Sequence, residues 1–235
     1  TTTVTTTSTA VPTTTTVTTT STAVPTTTTV TTTTTTGPIT TTVISPTIPP
    51  VVNVQTTYSS LDTKDGKKYA SGYHGTGALA VKFDSNDSIL WYSTTNSGTA
   101  FSVFNSMRIA QDDNLYAAGF VTQGLHDFGN GVVVNGTTPN NQVLVKYSTF
   151  GIAQWAVTTN SSTNAQFYAT AVNGVNEIYC VGYYPGAPSS IDYGNGVVLS
   201  GTGYVNSATT GVLVKYNSTG HAQWARSEIS TGNGY

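Results

Sequence analysis

The chain has 235 residues, of which only 8% are charged, against roughly 25% in an ordinary soluble domain. Its net charge of −2 gives no electrostatic case for nucleic acid or an anionic membrane surface. No apolar run is long enough to span a bilayer, and the single cysteine, Cys180, excludes an intrachain disulfide framework.

The first 50 residues contain 29 threonines and no charge. TTTVTTTSTAVPT is spelled twice in succession, and Val4, Val17, Val30 and Val43 keep the same thirteen-residue spacing. Such a tract cannot bury enough apolar surface to offset the entropy of ordering. β-Branched threonine and recurrent proline bias it toward extended backbone. The expected domain division is therefore a Thr-rich stalk or linker over residues 1–53 and a folded domain over 54–235. Thr/Ser-rich sequence with proline has the composition of O-glycosylated, mucin-like stalks. The acceptor candidates are Thr1, Thr2, Thr3, Thr5, Thr6, Thr7, Thr14, Thr15, Thr16, Thr18, Thr19, Thr20, Thr27, Thr28 and Thr29. A bare flexible linker is the alternative; a Thr-faced solenoid is disfavoured, because short coils with so few valines would lack a core. The chain begins with Thr, so either a leader has been removed or the sequence starts inside a longer product; the mucin-like composition sets the expectation of a secreted or cell-surface location.

The second part carries a longer repeat. ALAVKFDSNDSILWY, QVLVKYSTFGIAQWA and GVLVKYNSTGHAQWA align, so that Lys82, Lys146 and Lys215 each precede a tryptophan (Trp91, Trp155, Trp224) by nine residues. Unit lengths are 64 and 69 residues. Between these stretches stand KYASGY, NLYAAGF and EIYCVGY, and the last two are followed by DFGNGVVV and DYGNGVVL. In VLVKY the side chains of Val143, Val145 and Tyr147 point one way, and those of Leu144 and Lys146 the other. A short turn then leads to IAQWA, so each unit holds a hairpin. With turns at short intervals and no helical period, the fold class is all-β: propeller-like blades or stacked antiparallel repeats.

This combination of motifs resembles the SBBP-type (seven-bladed β-propeller) repeats of secreted and surface bacterial proteins. The likeness covers about residues 64–235. It implies a fold and an extracellular setting, and it carries over no catalytic residue. About two and a half units are expected in residues 54–235, too few to close a ring of the usual roughly four to eight blades. An open edge of that kind is an association surface.

Little in the chain points to chemistry. His74, His126 and His221 stand in unrelated contexts. Asp84 to Ser88 and Asp112 to Asn114 carry calcium-ligand side chains, but they sit where turns favour Asp and Asn. Asp127 and Asp192 are equivalent repeat positions and are expected to fix the GNG turn. Four N-glycosylation sequons, at Asn86, Asn135, Asn160 and Asn217, permit modification without arguing for it. The lysines and tryptophans read as repeat anchors. Tyr73, Phe120, Tyr183 and Tyr184 follow the strand glycines and are the candidate ligand-binding residues. The expectation is a non-enzymatic surface protein without cofactor, carrying covalent glycans and associating with itself as an appendage or fibre. The alternative is a propeller binding module for glycan or protein.

Overall fold

The computed structural model describes residues 55–161, 164–185, 190–200 and 209–227. The Thr-rich tract and its glycosylation candidates lie outside the described residues. Among the described residues all regular structure is β-strand, as the turn spacing requires.

Three four-stranded antiparallel sheets follow one another along the chain. The first is a simple meander of β1 (Thr56–Lys64), β2 (Lys67–His74), β3 (Gly77–Phe83) and β4 (Ile89–Thr94). The second opens with β5 (Ser102–Ile109) and β6 (Leu115–Val121), detours through a hairpin of β7 (Gly124–Asp127) and β8 (Val133–Gly136), and closes with β9 (Asn141–Tyr147) and β10 (Ala153–Thr158). After the two-residue β11 (Asn160–Ser161), the third repeats that plan. Its strands are β12 (Gln166–Val172) and β13 (Ile178–Pro185), the hairpin β14 (Ser190–Asp192) and β15 (Val198–Ser200), then β16 (Thr209–Tyr216) and β17 (Ala222–Ser227). Three complete sheets thus stand where about two and a half units were expected. The uncounted strand is β1, whose TTYSSLDTK has no alternating apolar signal to betray it.

Each sheet stacks on the next: β5 touches β1, β2 and β3, and β12 touches β5, β6 and β9. The alternation in VLVKY therefore feeds two cores. Val143, Val145 and Tyr147 join Tyr69, Phe104, Met107 and Leu115 between the first and second sheets. Leu144 joins Tyr116, Phe167, Ile178, Cys180 and Tyr216 between the second and third.

The strand glycines are explained by close approach of backbone. In each sheet the first strand bulges opposite the second, at Tyr58/Ser60, Phe104/Ser106 and Phe167/Ala169. A Cβ on Gly72, Gly119 or Gly182 would lie 1.8, 1.9 and 1.9 Å from the carbonyl oxygen of Thr57, Val103 and Gln166. No side chain fits there, so the G of SGY, AGF and VGY is obligatory.

The GNG motif has its own reason. Gly129, Asn130 and Gly131 all have positive φ, as do Gly194, Asn195 and Gly196. Such a run is open to Gly and tolerated by Asn. Asp127 and Asp192 accept 2.8 Å hydrogen bonds from the Gly129 and Gly194 amides, fixing the turn as expected. Asn130 Nδ2 donates to the Ala153 carbonyl at 3.1 Å, and Asn195 Nδ2 to that of Ala222 at 2.9 Å. Each hairpin is thereby stapled to the fourth strand of its own sheet. It delivers Phe128 or Tyr193, 2% and 4% exposed, into the core beneath.

Candidate binding surface

Two ends of the stacked sheets differ in chemistry. At one end lie the turns joining first to second and third to fourth strands. All the lysines are there, with every described acid except Asp127 and Asp192. At this end one cross-strand row recurs in every sheet. Tyr69, Lys82 and Trp91 are paired neighbours, and so are Tyr116, Lys146 and Trp155, and Tyr179, Lys215 and Trp224. Each lysine ammonium sits over its tyrosine ring, at 5.1, 5.5 and 5.8 Å, an attraction of about 0.5–1 kcal/mol where exposed.

The tryptophans join sheets. Trp91 Nε1 donates to the Thr149 carbonyl at 3.0 Å, and Trp155 Nε1 to the Ser218 carbonyl at 3.3 Å. Both acceptors lie in the turn between third and fourth strands of the following sheet. The ring covers the turn's last glycine: a Cβ on Gly151 would come within 2.6 Å of Trp91, and one on Gly220 within 3.0 Å of Trp155. Those glycines are held at φ 77° and 84°. Lys82 reinforces the first junction, donating to the Thr149 carbonyl at 3.3 Å. The repeat spacing marks lysine and tryptophan as anchors; only the fold shows that each of Trp91 and Trp155 anchors the neighbouring unit.

The titratable side chains and the Asp-rich turns have structural partners. Asp84 accepts from the amides of Asn86 and Ser88, and Asp112 from that of Asn114, which is Asx-turn geometry. Glu177 receives Lys215 at 2.7 Å, and this cation holds its carboxyl below the usual carboxylate range. His126 is fully buried with Nε2 at 2.8 Å from the Thr122 carbonyl, and burial lowers its pKa. Cys180 is fully buried, and burial pushes its thiol up to about 12, far from thiolate chemistry. Among the described residues no group of three His, Cys, Asp or Glu side chains could hold a metal ion.

The opposite end is free of lysine and of acids outside the hairpin turns, and it is aromatic. Tyr73 meets Phe101 edge-on at 5.3 Å, and Phe101 lies 6.0 Å from Phe120. These three are half-buried and bridge the first two sheets. On the third sheet Tyr168 stacks on Tyr183 at 5.5 Å with planes 29° apart, and Tyr168 is 56% exposed. Tyr73, Phe120 and Tyr183 thus occupy equivalent positions at one end. Tyr184 does not join them. It is 2% exposed and packs in the core with Ile191 and Tyr216, because adjacent strand residues point to opposite faces. Phe101 and Tyr168 escaped sequence reading, since neither belongs to a repeated motif. A separate groove of about 420 Å³ lies on the outer face of the first sheet, lined by Tyr58, Leu61, Ala70 and Phe83 among others.

No protein-family model matches the chain. It is similar to an uncharacterized WD repeat-containing protein of Acanthamoeba polyphaga mimivirus, 27% identical over 165 residues. That match covers 65% of this chain and 12% of the viral protein. The similarity and the stacked four-stranded sheets agree on a β-propeller-type repeat.

Proposed function

We propose that this chain is a non-catalytic binding scaffold of propeller-type repeats, presenting an uncharged aromatic rim to a glycan. The observation that carries this reading is the placement of Tyr73, Phe101 and Phe120, with the stacked Tyr168–Tyr183 pair, at one lysine-free end. Aromatic faces offer large, rigid apolar area, and the tyrosine hydroxyls add hydrogen-bonding tips. Sugar rings, with one apolar face and a polar edge, suit such a platform. A protein ligand is the alternative occupant of the same rim. The similarity to a WD repeat-containing protein supports a scaffold over an enzyme.

Glycan-array binding tests it, followed by titration of the best ligand against Tyr168→Ala and Phe120→Ala. The reading expects both variants to stay folded and to lose affinity at least several-fold. Binding to no glycan, or affinity untouched by either change, would refute it.

The Thr-rich tract supports a secreted or cell-surface setting in which an O-glycosylated stalk carries the rim away from its attachment. Intact mass of native material decides this point. Hexose-sized increments on residues 1–53 are expected; peptide mass alone would remove the stalk reading.

A further inference from the structure

The third sheet shows the same face to solvent that the first and second sheets bury. Ser71 and Ala80 pair across that face of the first sheet, and Ala118 and Leu144 across the second; all four are 0% exposed. Their equivalents on the third sheet are Val181 and Leu213, paired in the same register. Val181 is 48% exposed and Leu213 only half-buried. At the charged end of this face stands Trp224, equivalent to Trp91 and Trp155 but with no following turn to receive its indole N–H among the described residues.

We infer that the outer face of the third sheet is a socket for a further unit of the same repeat, seated by Trp224 on that unit's glycine-closed turn. The interface is the continuation of two that the structure already contains. Both existing junctions place the ring where a Cβ would sit at 2.6 or 3.0 Å, closer than carbon atoms pack. The occupant must therefore carry glycine at the last turn position.

That requirement argues against a second copy of this chain as the occupant. Its turns at residues 148–151 and 217–220 already hold Trp91 and Trp155. Its remaining equivalent turn, residues 84–88, has Asp87 at φ 66° in the glycine position, with the carboxylate paired to Lys68. A tryptophan cannot lie over that side chain. The array is directional: the first unit's turn rejects a preceding tryptophan, while the third unit's tryptophan awaits a following turn. Connections between sheets are short, residues 95–101 and 159–165, so a following unit reaches the face readily. This inference is independent of what the aromatic rim binds.

The test is oxidation of the three indoles by N-bromosuccinimide, read residue by residue by peptide mass spectrometry. It compares the full chain with the full chain bearing a duplicate of residues 166–227 appended after residue 235. The expected result is a several-fold loss of Trp224 reactivity in the extended chain, with Trp91 and Trp155 unchanged as internal controls. The loss should vanish when the duplicate carries aspartate in place of its copy of Gly220. Trp224 equally reactive in both extended forms would overturn the inference. So would Trp224 protection that grows with concentration in the unextended chain, which would make a second copy the occupant. A second measurement needs no appended unit: Gly220→Asp in the chain itself should raise Trp155 to the reactivity of Trp224. Unchanged Trp155 reactivity there would also overturn the glycine rule.

Discussion

The first and second sheets share the same bulged strand, the same obligatory glycine and the same Tyr–Lys–Trp row, yet they are buried differently. The second is covered on both faces and feeds two large cores. The first has one face in a large core, while the other buries only Ala70, Leu79 and Val81, with Phe83 packed beside them. Tyr58 and Leu61 on that side remain 54% and 62% exposed. The second sheet also owns a hairpin that drives Phe128 into its core, and the first has none. The contrast shows where the stability lies. A unit of this repeat contributes one half of a core, and the neighbour supplies the other half.

The sharpest way to break that comparison is at the glycine common to both sheets. Gly119→Ala should cost about 4 kcal/mol or more, in the exceptional range for one substitution, because the new Cβ would meet the Val103 carbonyl oxygen at 1.9 Å. Gly66→Ala, in an open turn at φ 72°, should cost only about 1–2 kcal/mol from left-handed backbone alone. Urea denaturation of both variants checks the difference. If they unfold at equal denaturant, the close-approach account of the strand glycine fails.

Next comes the hairpin. Phe128 is 2% exposed and lies 5.9 Å from Phe104 in a stacked arrangement. Phe128→Ala should cost about 3–5 kcal/mol, as for other buried phenylalanines. Tyr58→Ala on the uncovered face should stay within about 0.5 kcal/mol. Comparable losses at the two sites would mean that the outer face of the first sheet is covered after all.

A smaller effect is expected at the junctions. Trp155→Phe removes the hydrogen bond to Ser218 and should cost about 1–2 kcal/mol. Trp224→Phe has no such bond to lose and should be near neutral in this chain. Thermal unfolding of the pair reads the difference, and equal losses would place the tryptophans' worth within their own sheets.

The smallest effect is a pH dependence. Burial holds the folded-state pKa of His126 below its ordinary 6.5, so the unfolded chain binds more protons as pH falls through that value. Stability is therefore complete above 6.5 and declines below it. The urea midpoint should fall between about pH 7.5 and about pH 5.5, and His126→Gln should flatten that slope. An unchanged slope in the variant would assign the dependence to other groups.

Much of this architecture was legible because repetition supplies its own controls. The nine-residue interval from lysine to tryptophan located three hairpins, and the alternation in VLVKY assigned Val145 and Leu144 to opposite faces. What stayed hidden is set by neighbours. The residue before each tryptophan (Leu90, Gln154, Gln223) is bulged, and that bulge brings lysine and tryptophan into direct register. Spacing alone does not reveal it. β1 is hidden because TTYSSLDTK carries no apolar alternation, and Tyr58 and Leu61, its large apolar residues, stay 54% and 62% exposed. The place of Tyr184 after a glycine suggests a surface residue; its depth depends on the hairpin carrying Ile191 and Tyr193. Of the rim, Tyr73, Phe120 and Tyr183 were visible through their repeated position, while Phe101 and Tyr168 lie in positions that differ from unit to unit.

The most direct test of the account is hydrogen exchange at the three indole N–H groups, followed by 15N-resolved NMR of the full chain. Docking of each tryptophan on the next turn predicts slow exchange for Trp91 and Trp155, whose N–H groups donate to Thr149 and Ser218, and fast exchange for Trp224. Three indoles exchanging at the same rate would contradict the account, because no junction between neighbouring sheets would then distinguish them.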